Sequence, residues 1–126
     1  MTKNKISKQY DLEERTLEFA KRVRSLVKKL NKNIANIEDC KQLIKASGSV
    51  GANYIEANEA LGKKDFLMRI KICRKEAKES RYWLRLIETG GKAEIEKERD
   101  FLENEARELT HIFGAILTKS QGGESS

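Results

Sequence analysis

Proline is absent from all 126 residues. Because proline is the strongest breaker of a helix interior, its absence favours long, uninterrupted helices. Apolar residues make up only 38% of the chain and charged residues 37%. That balance suits amphipathic helices and argues against a thick sheet sandwich. No run approaches the ~20 consecutive apolar residues that span a bilayer, so no membrane partner is expected. The basic start, MTKNKISKQY, is followed by no apolar run. It therefore does not read as a secretory signal, and the expected compartment is the cytoplasm. Cysteine is scarce as well, and Cys40 and Cys73 fit two free buried thiols in a reducing compartment better than a disulfide. The one histidine, His111, has no partner at metal-ligand spacing. There is no Glu-x-x-His pair, no His/Cys cluster and no Gly-x-Ser-x-Gly elbow. No cofactor, metal or catalytic residue is expected, and the chain reads as non-enzymatic.

What is present is helical periodicity. Leu12, Thr16, Phe19, Val23, Leu26 and Leu30 fall at steps of three and four, the spacing of one helix face. Asp11 with Glu14 reads as the N-terminal cap of that helix. Asn36 reads as the cap of a second, with Glu38 and Asp39 in its first turn. Its stripe is Cys40, Leu43, Ser47, Val50, Tyr54, Ala57 and Leu61, widened by Ile44, Gly51 and Ile55. Phe66, Ile70, Cys73, Ala77, Ser80, Leu84 and Ile87 keep a heptad alternation along a third, closed by Gly90 and Gly91. Ile95, Leu102, Leu109 and Ile116 recur every seven residues in a fourth, with Phe101, Ala106, Ile112, Phe113 and Leu117 on the same side.

Four helices of roughly 20–27 residues, each about 30–40 Å long, follow from these runs. The links between them, near 32–36, 61–64 and 89–93, are short and imply antiparallel neighbours. The expected fold is all-α, an up-down-up-down antiparallel four-helix bundle over residues 10–119. A loose segment is expected at 1–9 and a disordered tail at 120–126.

The stretch 46–65, ASGSVGANYIEANEALGKKD, tests that reading. Three glycines and two serines could mark a loop between domains or a phosphate-binding turn. The stripe runs straight through them, however, and a loop would break its register. GSVGAN also lacks the G-x-x-x-x-G-K-[ST] order, and no strand precedes it. Each mid-helix glycine costs about 1 kcal/mol relative to alanine, so two of them imply close packing by another helix or another subunit. Gly62 sits instead at a turn, before Lys63, Lys64 and Asp65.

The net charge of +6 is unevenly spread. Residues 1–35 hold ten Lys/Arg against four Asp/Glu, and 63–91 hold nine against four. The segments 36–62 and 92–126 are acidic. On the third helix Lys71, Arg74, Lys75, Lys78, Arg81 and Arg85 line one edge; on the first, Lys21, Arg24, Lys28 and Lys32 do the same. Such stripes suit a phosphate backbone. The competing explanation is a solvated face neutralised by Glu94, Glu96, Glu98, Glu103, Glu105 and Glu108. Asn53 and Glu56, one turn apart beside the small residues, read as a polar device fixing helix packing or a subunit interface. Ser47, Gly48, Val50, Gly51 and Tyr54 belong to the same packing face. Tyr82 and Trp83 read as covering the flank of the bundle or a neighbouring subunit, with stacking on bases as the alternative.

The run QLIKASGSVGANYIEANEALGKKDFLMRIKICRKEAKESRYWLRLIE resembles the central signature of the bacterial four-helix-bundle proteins of 23S rRNA intervening sequences, also called S23-type. The matching positions are Ser47, Val50, Asn53 and Glu56, then Lys64, Asp65 and Phe66, then Ala77, Glu79, Tyr82, Trp83 and Leu84. Where the family pattern has a serine capping the third helix, this chain has Gly62-Lys63. The resemblance implies a ring-like homo-oligomer, a homopentamer of four-helix protomers. It also implies kinship with retroelement accessory proteins, a related branch that binds RNA and reverse transcriptase. The expected function is thus a non-enzymatic oligomeric bundle that binds RNA or DNA through basic helix faces with low sequence specificity. The alternative is a scaffold for a protein partner, with no direct nucleic-acid contact.

Overall fold

The computed structural model describes residues 8–125, with side chains over 12–121. Four helices, α1 (Lys8–Lys29), α2 (Ile34–Asn58), α3 (Lys63–Leu86) and α4 (Ala93–Ser125), account for nearly all of it, and no strand occurs among the described residues. The three- and four-residue stripes face inward together. Phe19, Val23, Leu26, Leu43, Val50, Ile70, Leu84, Leu102, Leu109 and Phe113 are at most 1% exposed and form one continuous core.

The second helix is unbroken from Ile34 to Asn58, so the glycine- and serine-rich stretch is helix and not loop. Its small residues are used for close approach. A Cβ on Gly51 would lie 2.9 Å from Thr16 Oγ1 of α1, so only glycine lets those two helices meet as they do. Across the other flank, the Cys73 thiol of α3 donates to the Val50 carbonyl of α2 at 3.4 Å. The buried hydroxyls are satisfied within their own helices: Thr16 donates to Glu13 O, Ser47 to Ile44 O and Ser80 to Glu76 O. No buried side-chain N or O lacks a partner among the described residues, the condition that a packed core demands.

Helix ends differ from their sequence-based positions. The first helix starts at Lys8, which puts Asp11 in its first turn instead of at its cap; the helix dipole favours an acid at either place. Asn33, not Asn36, caps α2, accepting from the Asn36 backbone N–H at 2.8 Å. The Asn36 side chain does other work. It donates to the carbonyls of Asn31 and Glu88 and accepts from the Glu88 N–H, all at 2.9–3.0 Å. One buried amide thereby ties the α1–α2 link to the α3–α4 link. Gly62 caps α3 without a side-chain bond. Gly90 and Gly91 take φ of 71° and 72°, a left-handed geometry that disfavours other residues. They turn the chain within the link after α3 and are not its immediate cap.

Three apolar positions assigned to stripes are exposed. Leu61 is fully exposed because α2 ends at Asn58. Ile55 is 53% exposed on the outer edge of its stripe. Phe101 is 48% exposed and lies under the Arg22 guanidinium, 4.0 Å from its ring centre. The last helix extends to Ser125, so the boundary expected at 119 falls inside it; once a helix is nucleated, each further residue adds a bond. Most of the segment expected to be loose, residues 1–7, lies outside the described residues.

Candidate nucleic-acid interface

The basic edge of α3 does not stand alone. With the facing side of α4 it forms an open groove of about 1330 Å³. Lys71, Arg74, Lys75, Lys78, Arg81, Tyr82 and Arg85 make one wall. Arg107, Thr110, His111, Gly114, Ala115, Thr118 and Lys119 make the other. The α4 wall is low because its middle is built from small residues. A Cβ on Gly114 would meet only the Arg74 Cδ, at 3.7 Å.

Three acids of α4, Glu98, Glu105 and Glu108, are drawn away from the groove by α1. Arg15 of α1 donates to both carboxylate oxygens of Glu105, at 2.6 and 2.9 Å, and to Glu108 at 2.7 Å. Arg22 grips Glu98 in the same two-point manner, at 3.1 and 3.0 Å. The hydrogen bond from Arg15, aided by one from Asn104, holds the Glu108 carboxyl below its ordinary pKa, so it stays ionised and committed to α1. Among the described residues, Glu103 is the α4 acid that pairs with α3, reaching Arg81 at 3.2 Å and Arg85 at 3.8 Å. Lys75 meets Glu76 loosely, at 3.9 Å. Lys71, Arg74 and Lys78 form no ion pair among the described residues. Eight Lys/Arg line the groove with one acid, Glu79, among the lining residues; three of the eight, Lys75, Arg81 and Arg85, are paired with Glu76 or Glu103 from outside it.

The basic stripe of α1 is a separate feature. Lys21, Arg24 and Lys28 are exposed but line no part of the groove. Arg24 leans toward α2, with its Nη2 3.3 Å from where a Gly48 Cβ would be. Among the residues expected at packing faces, Ser47, Val50 and Tyr54 are buried, and the Tyr54 ring meets Phe113 at 5.8 Å. Asn53 donates to Ser49 and accepts from Arg69 of α3 at 3.0 Å, a tie between two helices of one chain. Glu56, read with Asn53 as a packing or interface device, is exposed, because the helix turns it outward between Tyr54 and Ala57. Trp83 packs against the core. Tyr82 is 57% exposed and lines the groove.

Sequence reasoning missed the α4 wall. Arg107, His111, Gly114 and Thr118 recur at steps of four, three and four, a face signal in its own right. It is hidden by the many acids that surround it. Among the described residues no group of His, Cys, Asp and Glu is placed to hold a metal, and no helix is long and apolar enough to cross a membrane.

The profile of the 23S rRNA-intervening sequence proteins matches residues 8–115, covering all of α1, α2 and α3 and most of α4. The chain belongs to that family. The 23S rRNA-intervening sequence family also accounts for its likeness to a solved structure. That structure is a protein of unknown function from the S23 ribosomal protein family of Bacteroides thetaiotaomicron VPI-5482. The two share 29% identity over 83% of this chain and 96% of the other, with a TM-score of 0.70. No curated protein matches the chain. Neither the family's description nor that of its solved relative names a catalytic activity.

Proposed function

We propose that this protein is a non-enzymatic bundle that binds RNA or DNA through the α3–α4 groove, with low sequence specificity. The observation that carries this is the charge imbalance of the groove, eight Lys/Arg against Glu79, sustained because Glu98, Glu105 and Glu108 are engaged by α1. Long cationic side chains at helical spacing neutralise phosphates and release counterions. Among the described residues lining the groove there is no Asn or Gln to read base edges, which fits low specificity.

An up-down-up-down arrangement is part of the same reading. It is supported by ties that run in reverse order between helices: Arg15 with Glu105 and Arg22 with Glu98, then Arg81 with Glu103. Assembly into a closed homo-oligomer is supported by family membership and by large exposed side chains such as Ile55, Met68 and Leu86. A protein partner, of which a reverse transcriptase is one class, rests on the family resemblance.

The deciding measurement is fluorescence anisotropy of labelled RNA and DNA at low and raised salt. Wild-type protein is expected to bind with steep salt dependence. A variant carrying Lys71→Ser, Lys75→Ser, Lys78→Ser, Arg81→Ser and Arg85→Ser is expected to lose binding while remaining helical. Absence of binding by the wild type at low salt refutes the reading. Solution mass with and without RNA reports subunit number and capture together, and a protein captured after nuclease treatment would point to the scaffold role.

A further inference from the structure

We infer that the groove takes a single strand of nucleic acid, with one base seated on Tyr82, and not a duplex. This rests on the reading just given and narrows it to a ligand class.

Among the described residues Tyr82 is the one Phe, Tyr or Trp side chain lining the groove, with His111 on the opposite wall, and at 57% exposure its ring is open to a ligand. The ring is also held in place. It meets Trp83 edge-on, with centres 5.0 Å apart and planes at 79°, and Trp83 is fixed against the core. Arg81 and Arg85 flank it on α3, and Arg107 stands on the opposite wall. An exposed aromatic ring in a groove lined by cationic side chains is the arrangement that binds an unpaired base and its neighbouring phosphates, since every base offers a π-face.

The shape of the groove agrees. From Lys71 to Arg85 it runs about 21 Å along α3 at the α-helical rise. That length holds roughly six nucleotides at a stacked rise of about 3.4 Å. α3 and α4 are packed side by side, with axes about 8–10 Å apart, so a strand lies along the surface groove over their seam, and only an unpaired base can turn its face onto Tyr82 there. Gly114 and Ala115 leave the middle of the groove shallow-walled and open to an entering strand.

The test uses the full chain and labelled probes of mixed sequence, one a single strand long enough to fill the groove, the other a blunt duplex of equal charge. The single strand is expected to bind more tightly. Tyr82→Ala is expected to weaken single-strand binding about ten-fold without changing its salt dependence or the weak duplex binding. Tyr82→Phe is expected to retain affinity. Gly114→Leu, which changes no charge, is expected to obstruct the groove and weaken the single strand alone. Circular dichroism and thermal unfolding confirm that each variant folds. Equal or tighter duplex binding, or a Tyr82→Ala variant that binds the single strand like wild type, overturns the inference while leaving phosphate binding intact. If neither probe binds at low salt, the broader reading falls and this one with it.

Discussion

Two glycines one turn apart in α2 carry opposite consequences. A Cβ on Gly51 meets Thr16 Oγ1 at 2.9 Å and Thr16 Cβ at 3.2 Å, and both atoms belong to a short side chain fixed in the core. Forcing such a contact costs about 1–3 kcal/mol, which outweighs the ~1 kcal/mol that alanine gains in a helix. At Gly48 the nearest atom is Arg24 Nη2 at 3.3 Å, the tip of a long, exposed side chain that can swing away. Gly51→Ala should therefore lower the urea midpoint, and Gly48→Ala should leave it unchanged or raise it. Equal effects would refute close packing at Gly51 as the reason for that residue. Cys73 makes a second residue-scale prediction. Burial pushes its thiol up to about 12, and burial raises the Cys40 thiol and the Tyr54 phenol as well. The folded state thus holds protons that the unfolded chain releases from about pH 8.5 upward. The stabilisation is complete below that pH and declines as pH rises toward the folded values. Urea midpoints should begin to fall above about pH 8.5 and go on falling as pH rises toward the folded values, and Cys73→Ala should flatten part of the decline.

Among the elements, the links are stitched by one side chain. Asn36 is 2% exposed and makes three hydrogen bonds across two links. Asn36→Ala strands the Glu88 N–H and two carbonyls, so a loss of about 2–4 kcal/mol is expected by chemical denaturation. A loss under ~0.5 kcal/mol would mean that water replaces the amide. This role was not legible in the sequence. Asn33 and Asn36 are equally good caps by type, and only the docking of the α3–α4 link decides which one caps and which one bridges. The stripes themselves were legible: every third- or fourth-residue position from Leu12 to Leu30 is buried, because a 3.6-residue period shows in the sequence directly. Phe101 was misplaced because an aromatic at the edge of a stripe can cover either the core or a cation, and Arg22 claims it. Half of the groove was legible for a related reason. The α3 wall is a run of cations, whereas the α4 wall depends on how that helix is rotated. Summing charge over 92–126 averages the face carrying Glu98, Glu105 and Glu108 with the face carrying Arg107 and Lys119.

For the whole molecule, what matters is where opposite charges end up, not the net +6. Two arginines of α1 engage three glutamates of α4 on one side of the bundle, leaving the far side of α4 free to face α3 without neutralising it. Glu103 is the exception. It bridges Arg81 at 3.2 Å and Arg85 at 3.8 Å, at the Tyr82 end of the groove, and competes with any phosphate for those two guanidinium groups. The side chains are partly exposed, 40% for Arg81 and 26% for Glu103, so the pair contributes about 0–1 kcal/mol to stability. Glu103→Gln should thus leave the thermal midpoint nearly unchanged while removing one negative charge from beside the groove. If phosphates occupy the groove, this variant binds nucleic acid several-fold more tightly at low salt. Its plot of log affinity against log salt should steepen by about 0.7–0.9 for each additional phosphate engaged. The change is a gain, so it cannot arise from a damaged fold, as a loss-of-charge variant might. Unchanged affinity and slope would mean that ligand phosphates do not reach Arg81 and Arg85, and the groove as drawn from Lys71 to Arg85 would have to be abandoned.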